Sequence, residues 1–246
     1  MELPSTIALS RLVSQTRAME VTATNMANAN TPGFKAGRVL FSDWLSKQTG
    51  VDAPRGGRTV AFVQDRATYR DQAPGPVQQT GNPFDLAVSG TGYFSVETPQ
   101  GPRLTRAGRF TPLPDGRLGD ADGNALMDTA GQPIRIAAAD TNIVVTGDGT
   151  IKSQKGRLGR IGVVQPADEM RMTAEGGRDM RADTTTAPVD KPQVIQGAIE
   201  DSNVQPVLEV TRMMAQLREF QFTSQFVQGE ADRMQSTIDK ITQRKG

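Results

Sequence analysis

Residues 204–242 read VQPVLEVTRMMAQLREFQFTSQFVQGEADRMQSTIDKIT, and the apolar spacing of this stretch decides the fold. Val210, Met213, Leu217, Phe220, Ser224, Val227, Ala231, Met234, Ile238 and Ile241 alternate at intervals of three and four without a break, which is the seam of a coiled-coil helix. Asn203 supplies an N-cap and Pro206 is tolerated in a first turn, so the spacing predicts one helix over about 204–242, roughly 60 Å long at about 1.5 Å per residue. A second stripe, Ala215, Phe222, Phe226 and Gly229, lies roughly opposite that seam. Leaving two Phe side chains in water forgoes about 1.5–3 kcal/mol each, so a helix apolar on two faces expects neighbours on both sides.

The other end of the chain repeats the theme. Leu9, Leu12, Thr16, Met19, Ala23 and Met26 keep the same alternation from about Ser5, and the Asn-rich run 25–30 stops the helix near Asn28 to Asn30. Thr31-Pro32-Gly33-Phe34 then specifies a type II turn, with Pro at its second and Gly at its third position. This N-terminal seam offers about 6–12 kcal/mol of gross burial, against about 1–2 kcal/mol per residue for ordering its backbone, so it needs partners to order.

Between the helices the sequence changes character. Phe84 to Val88, Tyr93 to Val96, Ile134 to Ile136, Ile143 to Val145 and Ile161 to Val164 read as strands, and Pro114-Asp115-Gly116, Asp122-Gly123 and Gly147-Asp148-Gly149 as hairpin turns. Residues 36–80 carry a short apolar stretch around Leu40 to Leu45 with Gly/Pro-rich Pro54 to Gly57 and Pro74 to Pro76, and read as an extended connector; residues 166–192 read as irregular with one or two strands. The fold class is therefore α+β: long N- and C-terminal helices forming a coiled-coil-like pair, with a central all-β domain. The expected divisions are a helix and turn at 1–35, the connector at 36–80, a β-rich domain at 81–200 and the C-terminal helix at 201–246.

Composition narrows function. The 246 residues include no Cys and no His, which removes disulfides, thiol nucleophiles, Ser-His-Asp catalysis and most zinc sites. Twenty-eight basic against 27 acidic residues leave no excess to neutralise phosphates, and nucleic acid is not an expected partner. No apolar run reaches the about 18 residues of a membrane span, and Met1 to Ser10, with Glu2 where a basic residue belongs, does not read as a cleavable secretory signal. Asp120-Ala-Asp122-Gly-Asn124 has its Gly at the wrong loop position for calcium, and Gly90-Thr-Gly92 lacks the third Gly and the helix of a dinucleotide loop; both read as turns. Arg103, Arg106, Arg109 and Arg117 read as the solvent face of alternating strands, and the carboxylates form no acid–base pair by spacing. No catalytic, cofactor or metal site is expected.

Four ordered motifs carry a family resemblance over nearly the whole chain. Asn25-Met-Ala-Asn-Ala-Asn-Thr-Pro-Gly-Phe-Lys35 after an amphipathic helix resembles the hallmark of flagellar rod and hook axial proteins. Gly81-Asn-Pro-Phe-Asp-Leu-Ala-Val-Ser-Gly-Thr-Gly-Tyr-Phe94 and Thr105-Arg-Ala-Gly-Arg-Phe110 resemble the entry to their central β-domain, and Gly197-Ala-Ile-Glu-Asp-Ser-Asn-Val204 the lead into their C-terminal helix. The short Thr-Pro-Gly-Phe-Lys form and the length are most similar to the proximal-rod members; Ala215-Gln-Leu-Arg218 departs from the family's usual Ala-Gln-Arg stretch.

The resemblance implies a structural subunit of the bacterial basal-body rod, exported through the flagellar type III apparatus with an uncleaved N-terminus. Its expected partners are other rod subunits, proximal and distal, and copies of itself, with no membrane insertion and no cofactor. The expected subunit-interface residues are Leu9, Leu12, Met19 and Met26 on the first helix, Asn28, Pro32, Gly33 and Phe34 after it, and Met213, Leu217, Phe220, Phe222, Phe226, Val227, Met234 and Ile238 on the last. The competing readings are a cell-wall hydrolase built on the β-domain, a monomeric β-rich binding module with a helical stalk, and, within the family, a distal-rod or hook-type protein.

Overall fold

The computed structural model describes residues 2–48, 58–137, 139–175 and 177–243, with side chains at 6–41, 67–137, 139–175 and 177–240. It bears out the α+β class. The chain divides into two compact units: Met1–Ala27, Gly37–Arg70 and Gln205–Gly246 form the first, and Asn28–Ala36 with Asp71–Val204 form the second. None of the described helices is long and apolar enough to cross a membrane.

The first unit holds α1 (Glu2–Ala27), α2 (Pro206–Gln243) and a hairpin of two long antiparallel strands, β1 (Gly37–Gln48) and β2 (Arg58–Arg70). Pro206 opens α2, where a missing N–H costs nothing. Residues 37–48 and 58–70, expected as part of an extended connector over 36–80, pair as this hairpin. Its pairing runs from Gly37 opposite Arg70 to Gln48 opposite Arg58, with a bulge at Leu40/Phe41. The β-branched run Thr59-Val60 is a strand former, but neither strand alternates cleanly between apolar and polar. The Pro54 to Gly57 stretch lies outside the described residues. Residues 37–48 and 58–70 group with the helices, and 28–36 and 71–80 with the β-rich unit.

The second unit is β-rich. Among the described residues its largest sheet has nine strands, with the antiparallel hairpin of β5 (Tyr93–Thr98) and β6 (Gly101–Thr105) near its middle. β3 (Val77–Gln79) pairs with Ala198–Glu200, and β4 (Leu86–Ser89) with Gln193–Gln196. The core gathers Leu86, Val88, Phe94, Val96, Phe110, Leu118, Leu126 and Ile161, and Phe94 meets Phe110 edge-on at 5.4 Å. Ile134 and Ile136, expected within a strand, are buried there, but the stretch pairs through a single bridge, Arg117 with Arg135. Residues 166–192 hold three short strands rather than one or two, at Met172–Glu175, Asp179–Ala182 and Thr186–Pro188.

The turns fall where the sequence put them. Gly116, Gly123 and Gly149 each take positive φ. The Asp120 carboxylate accepts from the amides of Asp122 and Asn124 and from the Asn124 side chain, so it knits a hairpin turn.

Candidate assembly surface

In the first unit, α2 turns one narrow face inward. Glu209, Met213, Gln216, Phe220, Thr223, Val227, Glu230 and Met234 are buried or half-buried, and every other residue from 206 to 240 is exposed. The period matches the sequence reading; the phase does not. Met213, Phe220, Val227 and Met234 lie on the seam as expected, but the positions between them are Glu209, Gln216, Thr223 and Glu230, not Val210, Leu217, Ser224 and Ala231. The side chain of Ile241, the last of the expected seam, lies outside those described.

The physical reason is polar. Among the described side chains of α1 the buried ones are Ala8, Ser14, Gln15, Thr22 and Asn25, so hydrogen-bonding partners set the register. Gln15 Nε2 donates to Thr223 Oγ1 at 3.4 Å, and Asn25 Nδ2 donates to the buried Glu209 carboxylate at 3.2 Å. Asn25 also grips Gly37 twice, accepting from its N–H at 2.7 Å and donating to its C=O at 3.0 Å. Arg38 reaches Glu209 at 2.8 Å, and Arg212 pairs with the same carboxylate. An acid in the first turn of α2 also faces the favourable end of the helix dipole.

This polar seam leaves the apolar residues outside. Of the expected interface set, Leu9, Leu217, Phe222, Phe226 and Ile238 are exposed, while Leu12, Met19, Met26, Met213, Phe220, Val227 and Met234 are half-buried. At about 100° per residue, Phe222 and Phe226 lie about 110° round α2 from the seam, on its flank and not opposite it as expected. There they wall a groove of about 380 Å³ with Ile7, Ala8 and Arg11 of α1 and Glu219 and Thr223 of α2.

In the second unit the four sequence motifs converge on one buried charge cluster that sequence reasoning missed. Glu200, 1% exposed, accepts from Lys35 Nζ at 2.5 Å and from Gly75 N–H at 3.0 Å through one oxygen, and from Arg106 at 3.1 Å through the other. Lys35 also donates to the Ala73 carbonyl at 2.9 Å, and Arg106 to the carbonyls of Val88 and Gly90 while lying 5.0 Å from the centre of the Tyr93 ring. Burial pushes the Lys35 ammonium below the usual lysine range, opposed by its hydrogen bond and attraction to Glu200. Burial likewise raises the Tyr93 phenol.

The turn before Lys35 is locked into the same cluster. Phe34 N–H donates to the Thr31 carbonyl at 3.2 Å and Gly33 takes φ +72°, the type II geometry expected from Pro32 and Gly33. Gly33 N–H donates to the Glu200 carbonyl at 2.8 Å, and Phe34, 1% exposed, packs on Ala29, Ala36 and Val204. Gly33 and Phe34 are thus buried inside the single chain, whereas Asn28 and Pro32 keep part of their surface. Asn203 does not cap α2: its side chain accepts from Ala36 N–H and donates to the Asp71 and Ala73 carbonyls. Nor do Arg103 and Arg106 face solvent, since both are buried against carboxylates, Glu175 and Glu200. Isolated charges in a sequence give no sign of burial when their partners lie 94 or 165 residues away.

Residues 6–35 match the family model described as flagella basal body rod protein, 87–153 the flagellar hook protein FlgE/F/G D1 domain, and 195–240 the flagellar basal body rod FlgEFG protein C-terminal. The chain is 34% identical over 237 residues to the flagellar basal-body rod protein FlgF of Caulobacter vibrioides, covering 96% of each. It is 33% identical to FlgF of Mesorhizobium japonicum, again over 96% of each. To the flagellar basal-body rod protein FlgG of Agrobacterium fabrum it is 30% identical, over 95% of this chain and 97% of that one. With its terminal helices, its β-rich unit and all of its motifs inside these matches, the chain belongs to the family of flagellar basal-body rod proteins, as a structural subunit of the rod.

Proposed function

We propose that this subunit sits in the proximal rod, that α1 and α2 pack against helices of neighbouring subunits in a helical, heterologous array, and that the array carries torque across the periplasm. The observation that supports this reading is the distribution of apolar surface on α2. The seam it shares with α1 is half polar, and Phe222 and Phe226 stand 75% and 47% exposed. Apolar side chains of that size contribute about 1.5–3 kcal/mol each when covered, so the flank gains most from a neighbour.

The role is mechanical, without catalysis. Neighbours are other rod subunits and further copies of this chain, reached after export through the flagellar type III apparatus without cleavage of an N-terminal signal. A Cys-free chain whose helices order only with partners suits passage in an unfolded state. A strain lacking the chain tests the reading: swimming should be lost, be restored by the wild-type copy, and that copy should co-purify with basal bodies at full length. Swimming without the chain would contradict the proposal.

A further inference from the structure

In the β-rich unit, the three-stranded sheet of Val144–Val145, Thr150–Ser153 and Gly156–Arg160 turns one side into the core and the other out. Val145 and Ile151 enter the core, so their chain neighbours Val144 and Lys152 point outward. Pairing sets Val144 opposite Lys152, and Lys152 in turn opposite Arg157, in one row across the three strands. Ile195 flanks the apolar end of that row. It lies on Gln193–Gln196, where Val194 N–H donates to the Gly147 carbonyl and the Gln196 side chain accepts from Val145 N–H. Val144 and Ile195 stand 50% and 39% exposed, and Lys152 and Arg157 are exposed as well.

Like charges directly opposite one another on paired strands are destabilising. Where the fold bridges Arg117 with Arg135 it supplies carboxylates, with Asp115 at 2.5 Å and Glu97 at 3.9 Å from Arg117. Lys152 and Arg157 receive none among the described residues. The acids nearby are spent: Asp140 pairs with Lys155 at 3.4 Å, and Asp148 accepts from Thr146 and Thr150. Residues 141–160 carry four basic side chains against one acidic, in a chain whose net charge is only +1. We propose that this outward face is a docking surface for an extended acidic segment of another protein, with carboxylates over Lys152 and Arg157 and an apolar side chain over Val144 and Ile195. One sign of charge, unbalanced within the sheet, selects an acidic occupant. Neighbouring strands lie about 4.8 Å apart, so Val144 stands about 10 Å from Arg157, the length of about three extended residues. The apolar half favours a protein segment over a phosphate polymer, which would leave Val144 and Ile195 uncovered. A contact of this size is weak and loosens as ionic strength rises. It lies wholly within the β-rich unit of a single chain and does not depend on the rod reading.

The test uses the full chain in dilute, low-salt solution and a dye-labelled, end-capped peptide of sequence Ser-Val-Ser-Glu-Ser-Glu-Ser, followed by fluorescence anisotropy and by NMR. The wild-type chain should bind it saturably, with amide shifts gathered at residues 144, 152, 157 and 195. Lys152→Ser with Arg157→Ser should weaken binding about tenfold or more while the melting temperature holds or rises, because the variant also removes the repulsion between the two strands. Lys155→Ser, whose charge Asp140 already meets, should change it less than about twofold. A peptide with Gln for both Glu, and one with Ser for Val, should each bind more weakly than the parent. Saturable binding that is lost with neither the double variant nor the Gln peptide would overturn the proposal, as would no saturable binding by the wild-type chain. Tighter binding of tripolyphosphate, or of phosphatidylglycerol vesicles, through Lys152 and Arg157 and without loss in Val144→Ser would assign the face to phosphate groups and overturn it too. A rod that assembles normally in any of these cases leaves the rod reading standing.

Discussion

Glu200 is the residue on which four distant stretches depend, and its removal separates attraction from desolvation. Glu200→Gln keeps the shape but leaves Lys35 and Arg106 buried together without a counter-charge, and breaking such a cluster costs about 3–5 kcal/mol. A denaturant titration followed by circular dichroism should show that loss, and adding Lys35→Met should recover part of it. Equal stability of Glu200→Gln and wild type would mean the cluster contributes nothing. At Gly33 the constraint is steric as well as conformational: a Cβ would lie 2.2 Å from Ala107 N in a residue held at φ +72°. Gly33→Val should therefore abolish swimming while exported protein stays detectable; normal swimming would show that this turn is not limiting. Asp148 offers a pH probe. Hydrogen bonds from Thr146 and Thr150 hold its carboxyl at about 2, below its ordinary value of 3.8, so the turn is stabilised above that ordinary value and loses the contribution as pH falls through about 2. An NMR titration of the carboxyl should place its midpoint there, and Thr146→Val should move it upward. At this scale the sequence spoke clearly wherever backbone geometry demanded a residue type, as at Gly33, Gly116 and Gly149. It was silent about Lys35, Arg106 and Glu200, whose burial depends on meeting across the fold.

The two helices show the same division one level up. Their existence, length and period were legible, because three-four spacing over many turns has one structural meaning. Their phase was not, since hydrophobic pattern alone favours Val210 and Leu217 over Glu209 and Gln216. Gln15, Thr223, Asn25 and Glu209 reverse that choice by pairing with one another. The seam they make is not a strong one. Among the described residues Gln15 Oε1 and Gln216 Oε1 are buried with no hydrogen-bond partner, each a cost of about 1–3 kcal/mol. The α1–α2 pair should accordingly open readily in a dilute monomer while the β-rich unit stays closed. Hydrogen exchange should show amides of 6–27 exchanging orders of magnitude faster than those of β5 and β6, and slowing in assembled basal bodies. Strong protection of 6–27 in the dilute monomer would contradict ordering coupled to assembly. The hairpin of β1 and β2 was the element least visible in advance. A two-stranded ribbon needs no clean alternation, and it takes its register from pairing over a dozen residues.

For the molecule as a whole, the distribution of surface matters more than any single bond. A chain that satisfied its helices internally would put its apolar residues on the seam and its polar ones outside. Here Glu209, Gln216, Thr223 and Glu230 lie inside while Phe222 and Phe226 lie outside, an arrangement that makes sense when the missing partner is another subunit. Phe222→Asp with Phe226→Asp separates the two possibilities. Both side chains are exposed in the single chain, so the pair should shift its stability by no more than about 0.5 kcal/mol each. Against a neighbouring subunit each carboxylate must be desolvated on an apolar surface, at a cost of several kcal/mol. The decisive measurement is therefore complementation of a rod-deficient strain by this double variant, together with immunoblotting of its isolated basal bodies. The expected result is a full-length, folded, exported protein that is absent from basal bodies and does not restore swimming; full swimming, with the double variant present in basal bodies at the wild-type level, would contradict assembly through this face.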